Sequence, residues 1–268
     1  MSSFLLSFVY PPPPSVFVTA MSAISFASLA NTGAAEVRGQ HLNYSKFWNA
    51  VTSTRSNAGS RRLPSREGML LLYAPALVAA LASFAIPGAV VGERARWLSA
   101  ALSIHFFKRV MEVLFIHQYS GHMLLGSALP ISFSYFISTA TMIYAQYLTQ
   151  PMSEPASDLK YIGVALFFLG LAGNFYHHYL LSKLRKQGEK EYKIPRGGLF
   201  DLVVCPHYLF EILGFFGVSL ISQTVYAFSF TFGTMFYLIG RSYATRKWYL
   251  SKFDQFPKHV KALIPYVF

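Results

Sequence analysis

Seven runs of predominantly apolar residues punctuate the chain, at 4–30, 69–91, 97–116, 125–148, 161–181, 199–221 and 224–240. A helix that crosses a bilayer needs about 20 such residues. The pattern therefore predicts an all-α, multi-pass membrane protein with about seven transmembrane helices. Four prolines at 11–14 interrupt the first run, and no Lys or Arg precedes Arg38. A signal peptide has a basic leading region and a compact apolar core. The expectation is a retained helix beginning near Val16, with cleavage of the segment as the alternative. Three stretches organise the whole: 1–68 with the first span and a basic loop, 69–150 with spans two to four, and 151–268.

Orientation follows from where the cations lie. Cytoplasmic loops carry the excess of Lys and Arg. Six lie between spans one and two, six between five and six, and six after span seven, whereas the opposite side collects Arg94, Arg96 and Lys160. Eighteen against three predicts a cytosolic C-terminus.

Composition adds two exclusions. Of the 268 residues, 53% are hydrophobic and 13% charged, about half the charge of an ordinary soluble domain. A disordered chain or a solvated enzyme is thereby excluded. The net charge of +12 reads as loops facing an anionic leaflet, so no nucleic acid is expected as a partner. Cys205 is the single cysteine, which excludes an intramolecular disulfide framework. Neither a G-x-G-x-x-G nor an H-E-x-x-H pattern occurs.

Charges at membrane depth are costly and mark functional sites by default. Span three holds His105, Lys108, Arg109 and Glu112, ending at His117. Helical spacing places Glu112 on one face with Lys108 and Arg109. A self-neutralised packing cluster is the bland reading; one carboxylate among several bases also leaves positive charge that would suit an anion. Span six holds Asp201, His207, Tyr208 and Glu211, with Pro206 read as a break in mid-span. In span five Asn174, His178 and Arg185 fall on one face. The adjacent His177 and His178 invite a metal, but the basic loop that follows suits phosphate better, and no metal is expected. Residue chemistry alone supports a membrane enzyme or transporter with a polyanionic ligand.

The strings NFYHHYLLSKLR at 174–185, YKIPRGGLF at 192–200, CPHYLFE at 205–211, WYLSKF at 248–253 and KALIPYVF at 261–268 resemble the steroid 5α-reductase family in order. Weaker similarity reaches back to YSK at 44–46 and LPSREGM at 63–69. The resemblance implies a seven-helix enzyme of the endoplasmic reticulum membrane. It implies NADPH as cofactor and reduction of a carbon–carbon double bond conjugated to a carbonyl. By motif match Asn174, His178, Arg185, Tyr192, His207, Glu211, Arg241 and Tyr249 fall on its NADPH-contacting positions. His178 stands where an acid is frequent, and His207 where Asn is.

The acceptor end departs further. Tyr73 and Phe106 occupy the positions of the glutamate and tyrosine that bind a steroid ketone. The stretch KRVMEVLFIH at 108–117 resembles instead the very-long-chain trans-2-enoyl-CoA reductases of fatty-acid elongation. That substrate is the expectation, with other elongation enzymes as candidate partners. A 3-oxo-steroid or other isoprenoid reductase is the alternative. An inactive scaffold or transporter, and a methyltransferase, complete the set of rivals. Tyr208 is expected to donate a proton or clamp the carbonyl oxygen. Arg109, Lys108 and Tyr73 would assist, and Glu112 would orient them.

Overall fold

A computed structural model describes residues 7–41, 61–119, 121–184 and 191–268. Within them the chain is mostly helical, with seven helices of 17 residues or more. These are α1 (Val16–Val37), α2 (Ser65–Ala82), α3 (Gly92–Met111), α4 (Leu125–Tyr147), α5 (Lys160–Lys183), α6 (Pro206–Ser222) and α7 (Val225–Lys252). By length and composition α1, α2, α4 and α5 can each cross a membrane. The other three fall outside that class, α6 by its length. Large apolar side chains coat the outside: Val78, Phe133, Ile162 and Leu169 are all exposed. Water would penalise such a coat, whereas lipid accommodates it.

Helix α1 starts where the prolines predict, at Val16, because Ser15 caps it by accepting from the Val18 N–H. It packs along α7 so closely that a Cβ on Gly240 would collide with the backbone of Gly33. Helices α5 and α6 form an equally tight pair. A Cβ on Gly163 would lie 2.6 Å from the carbonyl oxygen of Gly217. Phe167, Phe215, Val218 and Ile221 fill the adjoining core.

Two features depart from the apolar pattern. First, the sixth run is not helical throughout. Its start forms a 3-10 turn at Gly198–Asp201, and α6 begins only at Pro206. Pro206 thus sits in the first turn, where its missing N–H is harmless, rather than breaking a span. Asp201 is exposed on the turn before it. Second, a two-stranded antiparallel ribbon, β1 (Arg62–Pro64) with β2 (His122–Leu124), ties the start of α2 to the start of α4. Three-residue strands leave almost no periodic signal to read.

The last residues of the chain also serve the fold. Val204 and Cys205 donate backbone hydrogen bonds to Lys261 and Ala262, and Lys261 donates back to Leu202. The C-terminal segment therefore fixes the lead-in to α6, and with it the direction in which His207, Tyr208 and Glu211 project. At the far end of the bundle Arg94 is buried. It bonds Gln223 and the carbonyl of Ile221 at 2.8 Å, Asp158 at 2.7 Å and Glu154 at 2.9 Å.

Candidate active site

Helix α3 ends in a π turn, Glu112–Ile116, closed by the His117 N–H on the Glu112 carbonyl. Lys108, Arg109 and Glu112 stack just before it. Glu112 pairs with Lys108 and with Arg109, each at 3.0 Å. Both partners that helical spacing offered are thus used together. His178 of α5 joins them, its Nδ1 3.1 Å from Glu112 Oε1 and 3.1 Å from an Arg109 nitrogen. Arg109 also donates to the hydroxyl of Tyr73 on α2, with its guanidinium 4.6 Å from that ring's centre.

A second branch leaves from Lys108, whose ammonium donates to the Asn174 side-chain oxygen. The Asn174 amide then donates to the His207 carbonyl at 2.8 Å and to Glu211 at 3.3 Å. The His207 ring lies 5.3 Å from that of His178 and 4.2 Å from that of Tyr208. Residues expected at the acceptor and residues expected at the cofactor therefore form one hydrogen-bonded system spanning α2, α3, α5 and α6. His177 turns the other way. It donates to the Gly173 carbonyl and accepts from the Leu199 N–H at 3.1 Å, holding the 3-10 turn.

This system borders a cavity of about 340 Å³, within the range of ligand pockets. Tyr73, Arg109, His178, Tyr192, His207, Tyr208, Glu211, Arg241 and Tyr249 line it. Lys108, Glu112 and Asn174 stand behind that wall and hold it in place. Arg185 lies outside the described residues. Phe106 is buried against Tyr135 of α4, and the half-buried His105 packs on Phe215 of α6. The segment before the 3-10 turn, together with α6 and α7, combines Lys193 and Arg241 with the rings of Tyr192, Tyr208 and Tyr249. From α2, the segment after the π turn, β2 and α4 come Met69, Tyr73, Tyr119, Met123 and Tyr135, which pack in one apolar cluster, with Arg109, His117 and Gln118 beside them.

Three groups escaped the linear pattern. Glu36 near the end of α1 is buried and bonds Arg241 at 2.6 Å and His41 at 2.7 Å. It is the only acid in the first 66 residues, and that isolation was the available signal. Tyr119 carried no signal. The third is a possible ligand set: Glu112, His117 and His178 bring one ligand atom each within 4.8 Å of one another. Spacing within single helices could not reveal that grouping. Glu112 is already shared by two cations and an imidazole, so these contacts read as an ion network.

The model of the family described as 3-oxo-5-alpha-steroid 4-dehydrogenase matches residues 124–268. The chain belongs to that family, the steroid 5-alpha-reductases, which are membrane oxidoreductases. It is 33% identical over 241 residues to 3-oxo-5-alpha-steroid 4-dehydrogenase 2 of Rattus norvegicus, covering 86% of this chain and 89% of the relative. Against 3-oxo-5-alpha-steroid 4-dehydrogenase 1 of Homo sapiens it is 31% identical, over 77% of this chain and 82% of that one. Against Steroid 5-alpha-reductase DET2 of Gossypium hirsutum identity rises to 44%, over 40% of this chain and 42% of the relative. These relatives do not support the enoyl-CoA branch expected from residues 108–117. That stretch precedes the family match at 124, and the likeness to the enoyl-CoA enzymes rested on those ten residues alone. The same charges here have a local role in the Glu112 network.

Proposed function

We propose that this protein is a membrane reductase that uses NADPH to saturate the Δ4 double bond of a 3-oxo-steroid or closely related isoprenoid enone. The observation that carries the reading is that one cavity is lined by two unlike groups of residues. Cations and flat phenol rings on one side suit the phosphates and planar rings of a dinucleotide. Methionines and phenols on the other suit an apolar ring system bearing one neutral oxygen. The relatives' names supply the substrate class.

The residues present fit the cofactor. Arg241 and Lys193 would hold phosphate, Tyr192 and Tyr249 would pack on rings, and His207 and Glu211 would hydrogen-bond an amide or ribose. The bound cofactor would supply hydride to the β-carbon of the enone. Negative charge then grows on the carbonyl oxygen, and the chain's task is to meet it with donors. Tyr208 donates to that oxygen, and one such donor is typically worth ~3–4 kcal/mol of activation free energy. Arg109, locked by Glu112 and His178, polarises Tyr73 and keeps positive potential beside the developing enolate. The apolar wall keeps water from the reacting carbons.

Seven spans with a cytosolic C-terminus suit this chemistry. NADPH would enter from the basic side, and the steroid would arrive laterally from the endoplasmic reticulum bilayer. The test is to purify the protein in detergent and follow NADPH oxidation. A 3-oxo-Δ4-steroid and a long-chain trans-2-enoyl-CoA are supplied separately. Turnover of the steroid, lost in Tyr208→Phe, is expected. Turnover of the thioester alone would overturn the proposal.

A further inference from the structure

The Tyr119 hydroxyl is buried beside the cavity and, among the described residues, has no hydrogen-bonding partner. Its placement is built rather than incidental. The π turn delivers the chain to His117, whose ring lies 5.8 Å from that of Tyr119. The β1–β2 ribbon then clamps the far side of the loop, where the Ser65 N–H bonds the Gly121 carbonyl at 2.9 Å. The ring packs on the cluster of Leu72, Tyr73, Phe106, Val113 and Met123. A buried polar group without a partner is rare and is costly to leave unmade. A ligand acceptor would satisfy it.

The nature of that acceptor follows from the surroundings. Burial pushes the phenol well above its ordinary pKa, and neighbouring Tyr73 adds to the effect, so the group stays protonated and can donate. It packs in one cluster with Met69, Met123 and Tyr135, and the nearest lining cation, Arg109, is already held by Glu112 and Tyr73. A neutral donor beside a cation that is already paired suits a neutral carbonyl better than a phosphate. Phe106, in the same cluster, presents no hydroxyl of its own.

We propose that Tyr119 is a substrate-binding residue whose phenol donates a hydrogen bond to the carbonyl oxygen of the enone. This rests on the reductase reading above and adds to it the donor on the acceptor wall. Tyr119 keeps its proton throughout; only a hydrogen bond forms, and it tightens as the oxygen gains charge.

The test uses the full chain in detergent with saturating NADP+, so no reduction occurs. Dissociation constants are measured for a 3-oxo-4-ene steroid and for the same steroid lacking the 3-oxygen. The wild-type protein should prefer the ketone by on the order of 10-fold. Tyr119→Phe should bring the two affinities close together, with NADP+ affinity unchanged. Because no described residue partners the hydroxyl, the same variant should not lower the melting temperature. Tyr119→Leu serves as a second variant if the first fails to bind NADP+. A preference retained in both variants overturns the inference, with a bound water then satisfying the phenol. A wild-type protein that does not distinguish the steroids overturns it too. If the wild type binds the ketone selectively through Tyr119 yet never reduces it with NADPH, the reductase reading falls and the contact stands.

Discussion

Arg241 donates to Glu36 at 2.6 Å, joining α7 to α1 across 205 residues of sequence. Both side chains are almost wholly buried, and Arg241 also lines the cavity. Truncating one partner of a buried ion pair typically costs ~3–5 kcal/mol, because the other charge is left without compensation. Glu36→Ala should therefore lower the melting temperature in detergent and weaken NADPH binding together. Glu36→Gln, which keeps an acceptor, should recover part of the stability.

The α5–α6 pair depends on backbone contact. A Cβ on Gly217 would meet the backbone of Phe167 and Gly163, none of which can rotate aside. Overpacking of this kind costs ~1–3 kcal/mol or more. Gly217→Ala should reduce thermal stability, and since α5 and α6 carry Asn174, His178 and His207, it should also weaken NADPH binding. Gly126→Ala, where a Cβ meets nothing within 4 Å, is the control and should leave both unchanged.

Tyr208→Phe removes one hydroxyl from the wall that carries His207 and Glu211. A positioned proton donor is worth ~10²–10⁴-fold in rate. The expected result is a loss of kcat in that range with NADPH affinity nearly unchanged, read from single-turnover oxidation and from cofactor titration. A rise in KM alone would make Tyr208 a binding residue only.

Acid should weaken the far end of the bundle first. The hydrogen bond from Lys160, helped by Tyr161 and Trp97, holds Glu93 at about 2. Burial works against ionisation of Asp158, but the Lys160 backbone N–H and Arg94 outweigh it and keep its pKa low. Carboxylates with depressed folded-state pKa values stabilise fully above their unfolded values of about 3.9–4.3. That contribution disappears as pH falls through the folded values. Melting temperature should hold steady above about pH 4.3 and fall between there and about 2. Asp158→Asn combined with Glu93→Gln should flatten that fall.

Much of the fold was legible because lipid imposes a length and an apolar composition on each crossing helix. Each of the seven runs contains a helix among the described residues, four of them long and apolar enough to cross a membrane, and the proline run with Ser15 marks the start of α1. Pro206 misled because the run beginning at 199 looked continuous: hydropathy does not record that 198–201 is a separate turn, or that the C-terminal segment pins the bend. The active-site groups on α3, α5 and α6 were legible as charges out of place. Glu36 and Tyr119 were not, since their significance lies in contacts to residues remote in sequence.

The linear order of residues determined the membrane class and which faces of α3 and α5 carry Lys108, Arg109, Glu112, Asn174 and His178, because helical periodicity is local. Motif order determined the family. Tertiary structure alone decided that Glu112 serves Lys108, Arg109 and His178 at once. It also decided that Arg241 is balanced by Glu36 and that one cavity receives both sets of groups. Those outcomes depend on how helices distant in the chain pack against one another, and no spacing within a helix encodes that.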